Sequence, residues 1–272
     1  MKLNEYRRIY FLGIGGIGMS ALARYCVLQG IEVEGYDRTS THITDELAAT
    51  GIMISFEDDP GAVVALPELV IYTPAIPEES HLKKFFLEKG IAMIKRSEAL
   101  QRITEGVDTI AVAGTHGKTT TSCMISYLLR ECGIRHTAIL GGVSSNYQSN
   151  FILDSDALVV VEADEYDRSF LRLHPKWVVL TAMDPDHLDI YGTYEDMLEG
   201  YRDFLRQIQP GGFLLYRHDL TPLIGNDVFH SLDANDVETF SFGLDQGFYQ
   251  TRKLRVENSV WHWDMVTHRG ER

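Results

Sequence analysis

The chain alternates between short apolar runs and longer stretches with helical spacing. "RIYFLGI" is apolar and β-branched, and predicts a buried strand. "GMSALARYCVLQG" carries apolar residues at helical spacing and stops at Gly30, a helix with a glycine cap. "IEVEGYD" predicts a second strand, "ITDELAATG" a short helix, "LVIYTPAIP" a strand entering a proline-bounded turn, and "SHLKKFFLEKG" a further helix. Strand–helix alternation of this kind predicts a parallel, doubly wound sheet.

Around "TEGVDTIAVAG" the pattern restarts. "TIAVAG" predicts a buried strand and "KTTTSCMISYLLRECG" a helix, and "ALVVVEAD" and "WVVLTAM" two more buried strands. A boundary near Gly106 therefore divides the chain into residues 1–105 and 106–272, without a low-complexity linker and without an internal repeat. From about Asp233 the pattern turns to short alternating strands, "ETFSFG", "LRVEN" and "VWHWDMV", which offer no chemistry.

Composition narrows the class. At 272 residues the chain can build a sizeable core and two domains. With 44% hydrophobic and 24% charged residues it reads as soluble and globular. A net charge of −14 argues against a general binder of nucleic acid or of membrane surfaces, which are themselves negative. A small anion still responds to the local loop more than to the distant field. The three cysteines, Cys26, Cys123 and Cys132, fit neither a disulfide framework nor a CxxC metal site, so reduced thiols and a cytoplasmic location are expected. Arg7 and Arg8, the apolar "IYFLGIGGIGM" and then "SALA" mimic a signal peptide. The four glycines in that run suit a turn better than a signal helix. No apolar run reaches the roughly 18 residues of a membrane span.

Two strand-to-helix junctions carry the candidate chemistry. In "FLGIGGIGMSAL", Gly13, Gly15 and Gly18 satisfy G-x-G-x-x-G after a strand and before a helix. Glycines let backbone approach a pyrophosphate, and the helix N-terminus stabilises its charge. Asp37 ends the next strand, where a ribose-binding carboxylate sits in a nicotinamide enzyme. In "AVAGTHGKTTTSC", Gly114, Thr115, His116, Gly117, Lys118, Thr119 and Thr120 form a P-loop variant. The usual spacing places a glycine at position 112, which here is Val112, so Gly114 begins a shorter loop. In such a loop, backbone N–H groups hold phosphates, Lys118 neutralises them and the Thr119 hydroxyl takes a magnesium ion. Two later strand ends offer further ligands: Glu162, Asp164, Glu165 and Asp167 in "VVVEADEYDRSF", and Asp184, Asp186, His187 and Asp189 in "LTAMDPDHLD".

With these motifs in hand, the sequence resembles the Mur ligases of peptidoglycan synthesis, and within them the alanine-adding branch. "GIGGIGMSALA", "EGYD", "TPAIP", "GTHGKTTT", "EADEYDRSFL" and "DHLDIYGTYE" follow the family's order along nearly the whole chain. The resemblance implies an α/β fold in which residues 1–105 are a Rossmann-like UDP-sugar-binding domain. Residues 106–272 would be a central P-loop ATPase-type domain, incomplete at its C-terminal end. It implies that Gly15, Gly16, Ile17 and Gly18 lie against the diphosphate of UDP-N-acetylmuramate. Asp37 would contact the uridine, and Thr73, Ala75 and Ile76 would border the same pocket. Lys118 would bind the β and γ phosphates of ATP. Thr119 and Glu162 would hold one Mg²⁺ and His187 a second, with His116 at the junction of the two substrates.

The implied reaction is ATP-dependent. Phosphorylation of the sugar's lactyl carboxylate gives an acyl phosphate, the amine of L-alanine attacks it, and phosphate leaves. Several Mur ligases carry a carbamylated lysine after the histidine motif, but no lysine lies between His187 and Pro210, which fits the alanine-adding branch. The family's "T-N-x-E-x-D-H" is "TAMDPDH" here, and Arg168 replaces a small residue. The chain ends at "HRGER" without the family's "P-G-x-H-N" motif or its third, amino-acid-binding domain. It is therefore expected to be an N-terminal fragment that keeps the UDP-sugar site and most of the triphosphate site, lacks the L-alanine site and has little or no ligase turnover. Three alternatives stay open: a murein-peptide recycling ligase of the same family, an NAD-binding oxidoreductase built on the first loop, and a silent nucleotide-binding regulatory module.

Overall fold

The structure is a computed structural model and describes residues 2–154 and 157–267; the closing "HRGER" lies outside them. The first half runs β1 (Arg8–Leu12), α1 (Ile17–Leu28), β2 (Glu32–Tyr36), α2 (His42–Ala49), β3 (Met53–Ser55), β4 (Leu69–Tyr72), α3 (His81–Glu88), β5 (Ala92–Lys95) and α4 (Arg96–Thr104). Then come β6 (Asp108–Ala113), α5 (Lys118–Glu131), β7 (Thr137–Ser144), β8 (Ser149–Ile152), β9 (Leu158–Ala163) and β10 (Trp177–Leu180). The last part holds α6 (Leu188–Tyr191), α7 (Tyr194–Leu205), β11 (Phe213–Arg217), α8 (Thr221–Ile224), α9 (Asn226–Ala234), β12 (Glu238–Leu244), β13 (Tyr249–Glu257) and β14 (Val260–Thr267).

By contacts the chain forms two compact units. One comprises the chain up to Val107 together with Cys123–Val160, the other Asp108–Ser122 together with the chain from Val161 onward. Helix α5 and strand β9 each run from one unit into the other.

In the first unit five strands form a parallel sheet ordered β3-β2-β1-β4-β5. The chain leaves central β1 to one side for β2 and β3, then crosses back to β4. This reversal opens a crevice at the C-terminal ends of β1 and β4. Strand β1 reads as continuous apolar sequence because a central parallel strand is covered on both faces, and Ile9 to Leu12 are all buried. Tyr10, Leu12, Val70, Leu82 and Phe86 form a core cluster, with the Tyr10 and Phe86 rings 4.9 Å apart. The stretch "TAILGGVSSNYQSNFI" forms the antiparallel β7–β8 hairpin. It packs on α1, where Asn150 Nδ2 donates to the Ile17 carbonyl at 2.7 Å and to Ser20 Oγ at 3.0 Å.

In the second unit the strand order is β14-β13-β12-β11-β10-β6-β9. Strands β6, β10, β11, β12 and β13 run parallel, and β14 returns antiparallel to β13. Strand β6 has β9 on one side and β10 on the other, so its C-terminal end is also a switch point. Helix α7 is capped by Thr193, whose Oγ accepts the Asp196 N–H at 3.1 Å. It buries Tyr201 and Phe204 against Phe170, with ring centroids 5.3 and 5.0 Å from it. Among the described residues no helix is long and apolar enough to cross a membrane.

Candidate functional site

The first glycine loop joins β1 to α1 in the first unit. Gly13 adopts φ +85°, and a Cβ there would meet the Thr73 methyl at 2.5 Å, so only glycine fits the turn. The Gly13 and Ile14 N–H groups donate to the Tyr36 carbonyl at 2.8 and 3.0 Å, tying the loop to the end of β2. Asp37 Oδ2 accepts the Gly15 N–H at 2.7 Å, and its Oδ1 accepts the Thr39 N–H at 3.3 Å. Thr73 lies across the loop from Gly13, and a turn closed by Ile76 N–H to Thr73 O at 3.1 Å carries Thr73, Ala75 and Ile76. The structure thus gathers Gly15, Asp37, Thr73 and Ile76 around one loop at the strand ends.

Helix α1 starts after Gly16 with no side-chain cap and no acid in its first turn. The first N–H groups of a helix have no partner inside it. Together with the helix dipole they make this end electropositive. A residue the sequence did not single out adds to this: the Arg96 side chain, at the start of α4, lies against Gly18, where a Cβ would meet Nη1 at 2.8 Å. Nothing in "KRSEAL" marks it, because the approach comes from a helix beginning directly at the end of β5.

The second loop, Gly114–Gly117, joins β6 to α5. Gly114 has φ +132°, and a Cβ there would come within 2.7 Å of the Ala182 nitrogen. Thr115 N–H donates to Ala182 O at 3.3 Å and its Oγ accepts the Asp184 N–H at 3.1 Å, so the loop is fastened to the segment after β10. His116 is exposed, with Nε2 3.9 Å from Asp184 Oδ2. Lys118 opens α5, and its Nζ donates to the Gly114 carbonyl at 2.7 Å and to both Glu165 oxygens at 2.9 and 2.8 Å. Thr119 Oγ donates to Glu162 Oε2 at 3.0 Å, and Ser122 Oγ to Glu162 Oε1 at 3.1 Å. Thr120 is exposed.

The acidic and histidine candidates separate into two sets. Glu162 sits with Thr119. His187 groups with Glu165 and Asp186, whose ligand atoms and its own lie within 4.8 Å of one another; Glu162 is outside that group. Glu165, one of the acids in the candidate ligand run after β9, is 1% exposed. Two tyrosines of "DIYGTYE" brace these strand ends. Tyr191 donates to the Glu165 carbonyl at 2.7 Å and Tyr194 to the Met183 carbonyl at 2.7 Å. Burial, and then the nearby Glu165 charge, push the Tyr191 hydroxyl up to about 12, so it stays a donor. His187 itself adopts φ +52°, and Asp167 and Arg168 also hold positive φ. Left-handed backbone at non-glycine residues is strained.

Residues 8–107 match the family profile described as "Mur ligase family, catalytic domain", and residues 112–271 match "Mur ligase middle domain". The chain belongs to the Mur ligase family. It is 41% identical to the UDP-N-acetylmuramate–L-alanine ligase of Christiangramia forsetii, over 97% of this chain and 57% of that protein. With the enzyme of the same name from Porphyromonas gingivalis it shares 46% identity, over 94% of this chain and 58% of that protein. The chain thus spans a little under three fifths of the length of these curated relatives. The fold is similar to that of the UDP-N-acetylmuramate-alanine ligase from Thermotoga maritima, with a TM-score of 0.84 at 24% identity, covering 97% of this chain and 59% of that one.

Proposed function

We propose that this chain supplies the UDP-sugar-binding and ATP-binding parts of a cytoplasmic ligase that joins L-alanine to the lactyl carboxylate of UDP-N-acetylmuramate. Residues 1–105 would bind the UDP-sugar, with Gly15, Gly16, Ile17 and Gly18 against its diphosphate and Asp37, Thr73, Ala75 and Ile76 bordering the pocket. Residues 106–272 would bind ATP through Gly114, Thr115, His116, Gly117, Lys118, Thr119 and Thr120. One observation carries the reading: a single chain holds two glycine loops, each between a parallel strand and a helix, at the switch point of its own sheet. An oxidoreductase needs only the first.

A carboxylate is a poor electrophile because its charge repels an amine. Transfer of a phosphoryl group from ATP to that carboxylate gives an acyl phosphate. Attack by the amine then forms the amide and releases phosphate. The residues here would position and neutralise charge rather than react covalently. Lys118 would lie against the transferring phosphoryl group, and the loop N–H groups would orient the triphosphate. The donor chemistry suits Mg²⁺, a hard cation that prefers oxygen: Thr119 and Glu162 offer a hydroxyl and a carboxylate, and Glu165 and Asp186 flank His187. Bound there, the cation would neutralise developing phosphate charge.

Calorimetric titration with UDP-N-acetylmuramate, and with NAD in parallel, tests the proposal. The UDP-sugar should bind and NAD should not. Binding of NAD alone would replace this reading with the oxidoreductase one.

A further inference from the structure

Lys118 has three N–H protons, and the protein already engages all three, through Gly114 O and the two oxygens of Glu165. Glu165 is 1% exposed, and Lys118 only 18%. A carboxylate buried to this degree needs a positive partner, because an unpaired buried charge is strongly unfavourable. Within reach of the same carboxylate lie His187 Nε2, 3.8 Å from Glu165 Oε1, and the Asp186 carboxylate of the same cluster. Glu165 therefore faces a lysine on one side and a cation-type donor set on the other.

We infer that Glu165 is an exchangeable counter-ion that links nucleotide binding to cation binding. Without nucleotide it holds Lys118 against the Gly114 carbonyl. When a triphosphate takes Lys118, Glu165 turns to a divalent cation shared with Asp186 and His187. This rests on the proposal that the second loop binds ATP, and it adds a residue and a coupling to that proposal. Two consequences follow from charge balance. Nucleotide without a divalent cation must strip Lys118 from Glu165 and leave a buried carboxylate unpaired, so it binds weakly. A cation without nucleotide must compete with Lys118 for Glu165, so it binds weakly too. Together each removes the other's obstacle, and reciprocal coupling results.

The test is titration of ADP, with and without Mg²⁺, into the full chain and its Glu165→Gln variant. Glutamine keeps the shape and can still accept from Lys118, but lacks the charge. In the unmodified chain, Mg²⁺ should strengthen ADP binding strongly. In Glu165→Gln, Mg²⁺-free ADP should bind about tenfold more tightly, and the enhancement by Mg²⁺ should shrink by a similar factor. A second measurement does not depend on that variant folding: Mn²⁺ binding followed by electron paramagnetic resonance without nucleotide. Lys118→Met frees Glu165 and should bind Mn²⁺ about tenfold more tightly than the unmodified chain. If ADP binds but Glu165→Gln leaves both ADP affinities unchanged, or Lys118→Met leaves Mn²⁺ affinity unchanged, the counter-ion exchange is wrong while the ATP site stands. If the unmodified chain binds no nucleotide under any condition, the ATP-site reading fails and the exchange falls with it.

Discussion

The Asp37 carboxylate accepts the backbone N–H of Gly15 at 2.7 Å. A side chain that the sequence marks as a ribose or uridine ligand is thus also a strut of the loop it faces. The same closeness leaves no room at Gly15, where a Cβ would lie 2.8 Å from the Thr44 methyl and 2.9 Å from Asp37 Oδ2.

Gly15→Ala should therefore push the loop off its strut. The expected cost is about 1–3 kcal/mol of stability, as for other overpacked sites. UDP-N-acetylmuramate affinity should fall by about tenfold or more while Mg-ATP affinity stays within about twofold. Calorimetry with each ligand checks this, and an equal loss of both affinities would count against separate sites.

Glu162→Gln keeps one oxygen to accept from one of the Thr119 and Ser122 hydroxyls, and its amide can donate to the other, so the fold should survive. What it loses is negative charge beside the second loop. The Mg²⁺ dependence of ATP binding should weaken by about tenfold, with UDP-sugar binding unchanged. Unaltered Mg²⁺ dependence would remove Glu162 from the cation site.

Asn150 ties the β8 strand to the first turn of α1 through two hydrogen bonds, and it is 3% exposed. Asn150→Ala should cost about 1–3 kcal/mol in urea unfolding, because buried polar partners are left unmatched. It should also weaken the UDP-sugar more than ATP, since the loosened turn belongs to the first loop.

Asp58 sets a pH dependence. Burial raises its pKa, but the Leu82 and His81 N–H groups and the Ser80 hydroxyl outweigh burial and hold the carboxyl below its ordinary value of 3.8. A depressed folded pKa means the stabilisation is complete above the unfolded value and is lost as pH falls through the folded one. The stability gap between the unmodified chain and Asp58→Asn should therefore be widest above pH 3.8 and should narrow below it. Chemical denaturation at a series of pH values reads this directly, and a constant gap would refute it.

The central strands of both sheets could be read from the sequence because parallel strands are buried on two faces and leave unbroken apolar runs, as in "RIYFLGI" and "TIAVAG", whereas β3, β5 and β11 were not singled out. The glycine loops were legible for a similar reason, since Gly13 and Gly114 hold backbone angles and close contacts that other residues cannot. The β7–β8 hairpin was not, because "GGVSSNYQSN" has the composition of a loop and its pairing is set by packing on α1. Helix α4 was missed where it starts directly from β5, without a turn to announce it. Among the acids, the strand-end run offered both Glu162 and Glu165, and only the family resemblance singled out Glu162. What distinguishes them is three-dimensional: Glu162 meets two hydroxyls of α5, whereas Glu165 is buried against Lys118. Arg96 at Gly18 and Asn150 at Ile17 are approaches across long sequence separations, which no local pattern reveals.

The central claim is that the two loops serve two different ligands. The most direct measurement is titration of Mg-ATP into the chain already saturated with UDP-N-acetylmuramate. If the account holds, Mg-ATP binds without displacing the UDP-sugar, and Lys118→Met abolishes only the ATP heat. Displacement of the UDP-sugar by ATP would show a single shared nucleotide site and contradict it.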